Sequence, residues 1–358
     1  MVLEFEEVER IDRFGLHRDY IDWPNHANEA LKIEVKCPEN IEVDRIIIGG
    51  MGGSGIIGDI IQDWLQFKVD IPIHVIKDYH LPKFINRRSF ILVISCSGDT
   101  EEALSILSEA LKINAIITTI SSGGILEEVS KRKGIHHTKI KMLLTPRSSL
   151  PYMFYTSAKI LIKSNLINDF TNELQNSINV LKDISKTLMP NVDLEQNISK
   201  RIADWIHLCI PIIYASNLHR SAAIRFKNSL NENAKIHALV EILPELCHND
   251  LAAWLKNGLE GWRPLFIRYP NEPIEVLERF NAIKEIIEES GVEIIEVIAK
   301  GESNLDYIMS AIYILDFASI YSAILRGMDP KPIPNIDRLK VTLERRLKYV
   351  ERFCKNLI

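Results

Sequence analysis

The chain has 358 residues, enough for two domains of ordinary size, and its 46% hydrophobic and 25% charged residues describe a globular protein with a sizeable core. A formal net charge of only −5, with acids and bases interspersed, argues against a nucleic-acid partner and against a polybasic membrane patch. No apolar run stands out at membrane-spanning length, and the acidic start "MVLEFEEVERID" is unlike a signal peptide, so the expected setting is cytoplasmic with no membrane partner.

Up to about residue 145, short apolar runs alternate with helical patterns. "RIIIGG" reads as a buried parallel strand, followed by a helix near 55–66. "IPIHVIK" leads to a turn at "YHLP", "SFILVISCSG" to a helix near 100–111, and "AIITTISSGG" to a helix near 124–132. The polar residues "HHTK" then lead into the apolar run "IKMLLTP". Such alternation predicts a doubly wound parallel sheet covered on both faces. From Tyr152 to about His207 the pattern is helical and broken by Pro190. Alternation resumes with "CIPIIYAS", a helix near 219–230, "LFIRYP", a helix near 274–289, and "VEIIEVIA". A helix near 304–326, the turn "RGMDPKPIP" and a terminal helix from about Ile336 complete the chain. The expected fold class is therefore α/β, with two doubly wound parallel-sheet domains over 1–150 and 209–358 joined by connecting helices over 151–208.

Five cysteines (Cys37, Cys96, Cys209, Cys247, Cys354) are scattered with no C-x-x-C pair, which supports neither a zinc site nor a disulfide framework. They read as idle thiols. His136 and His137 in "KRKGIHHTK" read as a solvated loop rather than as metal ligands, and no metal site is expected.

The stretch "IIIGGMGGSGIIGDII" contains a literal G-x-G-x-x-G at Gly53, Gly55 and Gly58, with Asp78 where a ribose-binding acid would sit. Taken alone it fits a dinucleotide or another phosphate equally well. The second loop, "SCSGDTEEAL", weighs against a dinucleotide. It places Ser95, Ser97 and Thr100 at the C-terminal end of a neighbouring strand, where ligands bind in open parallel sheets. Gly52, Gly53 and Ser54 together with these hydroxyls form a ring of hydroxyl and backbone N–H groups suited to a compact phosphate monoester. A helix cap is the alternative reading of "SGDT".

In order along the chain, "GGMGGSG", "SCSGDTEEAL", "TPRSSLPY", "NENAK" and "LPELCHND" resemble the bifunctional phosphoglucose/phosphomannose isomerases of archaea. That family belongs to the phosphoglucose isomerase superfamily and is built from two sugar-isomerase (SIS) domains. The resemblance runs from about Ile46 to Lys340. It implies an aldose–ketose isomerase of hexose 6-phosphates that needs no metal or nucleotide cofactor. It implies that Glu232 moves a proton between C1 and C2 through a cis-enediol. His248 would open and close the sugar ring from the partner subunit of a homodimer. Arg147 would stabilise the enediolate, although "TPRSSLPY" on its own reads as a surface cation after a proline turn. Lys340 in "DRLK" matches a family lysine at the sugar end of the site. His219 and His237 rival His248 on spacing alone, and Glu241 and Glu245 rival Glu232.

Two departures from the family pattern stand out. "DPKPIPNID" lacks the threonine associated with accepting both the glucose and mannose configurations; Lys331 or Ile333 stands there instead. Asp99 replaces a common asparagine and brings a negative charge close to the proposed phosphate, tolerable if its side chain turns away to cap a helix. Two other functions compete: a sugar-phosphate sensor of the same fold without catalysis, and an NAD-dependent oxidoreductase. The sensor leaves the Glu232 and His248 pair without a role, and the oxidoreductase leaves "SCSGDT" unexplained as well.

Overall fold

The structure is a computed structural model that describes residues 3–255, 261–350 and 353. Cys354 lies outside the described residues. Three helices open the chain: α1 (Phe5–Ile11), α2 (Leu16–Ile21) and α3 (Trp23–Lys32). Strand β1 (Arg45–Gly49), α4 (Gly52–Leu65), β2 (Ile73–Ile76), β3 (Ser89–Ile94) and α5 (Glu101–Lys112) follow. Next come β4 (Ile116–Ser121), α6 (Gly124–Lys133) and β5 (His136–Lys139). The helical stretch holds α7 (Leu150–Lys163), α8 (Thr171–Leu188) and α9 (Ile198–Trp205). The remainder runs β6 (Ile210–Ala215), α10 (Arg220–Ser229), β7 (Leu239–Ile242), β8 (Trp262–Arg268) and α11 (Ile274–Glu289), then β9 (Ile295–Ile298), α12 (Asn304–Leu325) and α13 (Pro334–Leu347).

The chain forms two compact units, and both are discontinuous in sequence. The first comprises Trp23–Leu174 with Ile333–Ile358, the second Met1–Asp22 with Gln175–Pro332. These limits differ from 1–150, 151–208 and 209–358 because the ends of the chain cross over. In the second unit α1 and α2 pack on α12, and Tyr313 Oη donates to Tyr20 O at 2.8 Å. In the first unit Phe353 joins the core beside Tyr349 and Val350, and Tyr349 meets Tyr79 edge-on. Apolar periodicity shows that a terminal helix has a buried face but not which core receives it.

The first unit holds a parallel five-stranded sheet in the order β2-β1-β3-β4-β5. Ile47, Ile91, Val93 and Ile117 point to one face, against Ala103, Leu104 and Leu107 of α5 and Leu126 and Val129 of α6. Ile48 faces the other way, where α4 lies so close that a Cβ at Gly58 would sit 3.3 Å from Ile48 Cβ. Strand β5 corrects the sequence reading: it is "HHTK" itself, and "IKMLLTP" is irregular. His137 is buried rather than solvated, with Nδ1 2.8 Å from Thr119 Oγ1, and burial pushes its pKa down to about 4. A buried polar strand of this kind survives because neighbouring hydroxyls satisfy it, which hydropathy cannot register.

The second unit holds a parallel four-stranded sheet in the order β7-β6-β8-β9. Its core helix α12 is long and apolar enough to cross a membrane, against the sequence reading, but it is buried along its whole length within the unit. A capping box between Ser303 and Asp306 starts it. The last carbonyls of α8 and the residues beyond it are closed by side chains: Tyr321 Oη donates to Leu188 O, Asn197 Nδ2 to Met189 O, and Lys200 Nζ to Pro190 O. Cys37, Cys96, Cys209 and Cys247 are free thiols.

Candidate active site

In the first unit the strand order reverses direction between β1 and β3, and both suspect loops emerge there. The glycines after β1 are dictated by close approach. A Cβ at Gly50 would lie 2.8 Å from Ile94 O, one at Gly53 3.2 Å from Pro146 O, and one at Gly55 2.6 Å from Gly50 O. Gly52 has φ of +51°, and a Cβ there would meet nothing within 4 Å. Ser54 is buried and ties the two loops together, its Oγ accepting from Cys96 N at 3.1 Å and donating to Met153 Sδ at 3.4 Å.

Within the second loop Ser95 Oγ donates to Thr100 Oγ1 at 2.9 Å and accepts from Gly98 N at 3.1 Å. Ser97 is exposed, its Oγ accepting from Asp99 N at 3.3 Å. Asp99 does turn away: its Oδ1 accepts from Ile125 N at 2.9 Å and caps α6, not the helix it precedes. Cys96 stays a protonated thiol, because burial pushes its pKa up to about 11. Asp78 is exposed two residues beyond β2 and accepts from Tyr79 N. The literal G-x-G-x-x-G thus has physical causes shared by any tight phosphate loop, including Gly58 against Val75 Cγ1 at 2.7 Å.

Arg147 corrects the reading of a surface cation. It is 3% exposed, and its Cα lies 3.3 Å from where a Gly53 Cβ would sit. A knot of hydroxyls fixes this loop: Thr145 Oγ1 donates to Ser148 Oγ at 3.0 Å, Ser149 Oγ donates to Thr145 O at 2.8 Å, and Trp23 Nε1 donates to Ser148 O at 2.8 Å. Gly53, Ser54, Ser95, Thr100 and Arg147 are therefore brought together in one unit.

Glu232 belongs to the second unit and occupies a π-helical turn, Leu230–Ala234, that ends α10. Such turns are rare and need support. Lys235 leaves it in the left-handed region at φ +58°, its Nζ donating to Asn233 O, Asp329 O and Pro330 O. Beneath it lies a buried network. Arg225 Nε and Nη2 donate to Asp316 Oδ2 at 2.9 and 2.7 Å, Ser229 Oγ donates to Asp316 Oδ1 at 2.6 Å, and Asn233 Nδ2 donates to Ser319 Oγ at 2.8 Å. Burial works against the Arg225 charge, but the Asp316 carboxylate outweighs it and keeps the guanidinium pKa above its ordinary value, with Glu232 adding to the effect. Sequence reasoning missed this network, although Asp316 in the middle of a largely apolar helix demands a buried partner.

His248 ends a single 3-10 turn, Glu245–His248, beyond β7, and is exposed. Glu232 comes before β7 and His248 after it. Among the rivals, His237 and Glu245 are exposed, Glu241 lies on β7 itself, and His219 is wholly buried. Lys340 sits exposed on α13, in the first unit. Where the family threonine is missing, Lys331 lies over the Phe14 ring at 4.0 Å and Ile333 caps α13. Among the described residues no cluster of metal-ligating side chains occurs.

Residues 195–343 match the family described as bacterial phospho-glucose isomerase C-terminal SIS domain. A bifunctional phosphoglucose/phosphomannose isomerase from Aquifex aeolicus is 33% identical over 305 residues, covering 84% of this chain and 90% of that protein. A protein of the same name from Thermoplasma acidophilum is 32% identical over 295 residues, covering 82% and 88%. The crystal structure of a glucose-6-phosphate isomerase like protein from Thermus thermophilus superposes with a TM-score of 0.61 at 20% identity, covering 95% of this chain and 98% of that one.

Proposed function

This chain belongs to the bifunctional phosphoglucose/phosphomannose isomerase family, and from that premise we propose that it interconverts glucose 6-phosphate and mannose 6-phosphate with fructose 6-phosphate. The observation that carries the reading is the pair of loops joined by Ser54 at the reversal point of the first sheet. The N–H groups of Gly52 and Gly53 at a helix start, with the hydroxyls of Ser54, Ser95, Ser97 and Thr100, suit the 6-phosphate.

Glu232 takes the C2 proton of the open-chain aldose as the electron pair forms the C1–C2 double bond. Arg147 balances the charge that develops on the enediolate oxygens. Return of the proton to C1, with the C2 hydroxyl proton passing to O1 as the C2 carbonyl forms, gives the ketose, with no net oxidation and no co-reactant. Lys340 contacts the sugar hydroxyls. His248 of a second copy passes the proton between ring oxygen and hydroxyl as the ring opens. Family membership is the support for that second copy, hence for a homodimer, and for a cytoplasmic setting.

The decisive assay follows fructose 6-phosphate formed from each aldose, with EDTA present and no nucleotide, for wild type and Glu232→Gln. Turnover of both sugars is expected, falling roughly a thousandfold in the variant. Turnover of glucose 6-phosphate alone would follow from the missing threonine and narrow the function to one sugar. No turnover of either leaves the sensor reading.

A further inference from the structure

His248 is exposed, yet the backbone that carries it is fixed from both sides. On the N-terminal side Leu246 is wholly buried and inserts into the core formed by Tyr214, Leu243, Phe266 and Phe280. On the C-terminal side buried Trp254 enters the same core. Between these anchors the chain makes two short 3-10 turns, Glu245–His248 and Asp250–Ala253. Asn249 joins them, its Oδ1 accepting from Asp250 N at 2.7 Å and its Nδ2 donating to Glu245 Oε1 at 3.2 Å.

Asp250, two residues beyond His248, closes a polar triangle with that core. Tyr214 Oη on β6 donates to Asp250 Oδ2, and Trp254 Nε1 donates to Tyr214 Oη at 2.8 Å and, less closely, to Asp250 Oδ2 at 3.2 Å. An indole N–H only donates, so donation runs from Trp254 to Tyr214 to Asp250. Burial, with Asp250 adding to it, pushes the Tyr214 phenol well above its ordinary pKa and keeps its proton in place for that bond. Packing alone does not call for the triangle, because a buried hydroxyl and a buried indole N–H cost free energy unless paired. What it achieves is a fixed backbone two residues from an exposed histidine.

We propose that Asp250 is a positioning residue for ring opening: with Tyr214 and Trp254 it holds the turn that presents His248 to the sugar. The inference rests on the reading of His248 as the group that passes the proton between ring oxygen and hydroxyl. An exposed side chain that serves a substrate acts best when placed before the substrate arrives, since freedom lost on binding weakens catalysis. Asp250 itself touches no reacting atom, and no covalent bond to it changes.

The test uses the full-length protein as wild type, Glu232→Gln, His248→Ala, Asp250→Ala, Asp250→Asn and Tyr214→Phe. For each, three quantities are measured: NMR exchange between the α and β anomers of glucose 6-phosphate above its spontaneous rate, fructose 6-phosphate formation, and Tm. The anomers interconvert through the open chain, so their exchange reads ring opening without the C2 proton transfer. Glu232→Gln should keep the exchange within about twofold while losing isomerisation, and His248→Ala should lose the exchange. Asp250→Ala should slow the exchange about tenfold or more. Asp250→Asn, whose amide oxygen still accepts from Tyr214 and Trp254, should stay within about threefold of wild type, with Tyr214→Phe between the two. A lowered Tm in Asp250→Ala with wild-type exchange would overturn the inference and reduce the triangle to support of the fold. Equal slowing in Asp250→Ala and Asp250→Asn would trace the effect to charge and overturn it as well. If His248→Ala keeps the exchange while wild type isomerises, the ring-opening role of His248 has failed and takes this inference with it. A wild type that neither exchanges anomers nor isomerises removes the isomerase reading itself.

Discussion

In the first unit the crevice between the ends of β1 and β3 is lined by glycines and small hydroxyl residues. In the second unit the same topological position lies between the ends of β6 and β8. There the loops read "SNLHRS" and "YPNEP", with no glycine. His219 and Tyr269 pack there with their rings 5.1 Å apart, and the Tyr307 ring lies 5.3 Å from that of Tyr269. Arg268, at the end of β8, is held by Glu272 with Nε–Oε distances of 2.9 and 2.8 Å, and its Nη1 lies 3.3 Å from Glu296 Oε2. One topology thus serves a crevice lined by glycines and small hydroxyls and another lined by rings. Sheet order marks where a ligand can bind; local side-chain volume decides whether it does.

Two glycines bring that difference to a test. Gly98 in the hydroxyl loop and Gly291 in a turn of the second unit have φ of +87° and +88°. A Cβ at Gly291 meets nothing within 4 Å, whereas one at Gly98 would lie 1.9 Å from Gly123 O and 2.8 Å from Gly123 C. Backbone strain alone should make Gly291→Ala cost about 1–2 kcal/mol, with KM unchanged. Gly98→Ala adds a collision between two loops that cannot both stay in place, and it should lower kcat/KM for glucose 6-phosphate by about a hundredfold or more. Equal effects of the two substitutions on kcat/KM would show that the hydroxyl loop does not hold substrate.

The same contrast governs what was legible in the sequence. Strands β1, β3, β6 and β8 are central and covered on both faces, so they read as continuous apolar runs. β7 went unread because "LVEI" is a four-residue edge strand with a charged residue in it. β5 was misplaced because its polar residues are satisfied internally. Both ligand loops were visible, since glycine and hydroxyl residues after apolar strands carry a direct steric meaning. The burial of Arg147 and the π turn under Glu232 were not, because each depends on contacts distant in sequence, such as Trp23 with Ser148 and Arg225 with Asp316.

A smaller effect is expected from pH. Burial pushes His137 in the first unit and His219 in the second down to about 4, the Tyr307 backbone pulling His219 weakly the other way. Each folded value lies below the ordinary histidine value of 6.5. As pH falls the unfolded chain binds protons first, so stability is complete above about pH 6.5 and is lost progressively toward pH 4. Urea midpoints at pH 7.5 and 4.5 should differ markedly in wild type and less in His137→Asn. An unchanged difference would mean that His137 takes up its proton in the folded state.

The smallest effect should come from His219→Phe. Neither His219 ring nitrogen has a hydrogen-bond partner among the described residues. A ring of similar size without buried, unpaired nitrogens should keep the stack on Tyr269 and be neutral or mildly stabilising at pH 7.5. It should also narrow the loss of stability at pH 4.5, because a group that binds a proton only in the unfolded state has gone. If the second crevice is filled by its own side chains, KM and kcat for both aldoses stay at wild-type values. A raised KM in His219→Phe with an unchanged urea midpoint at pH 7.5 would mean that the second crevice also meets substrate. The two sheets would then differ in the ligand group they hold rather than in whether they hold one.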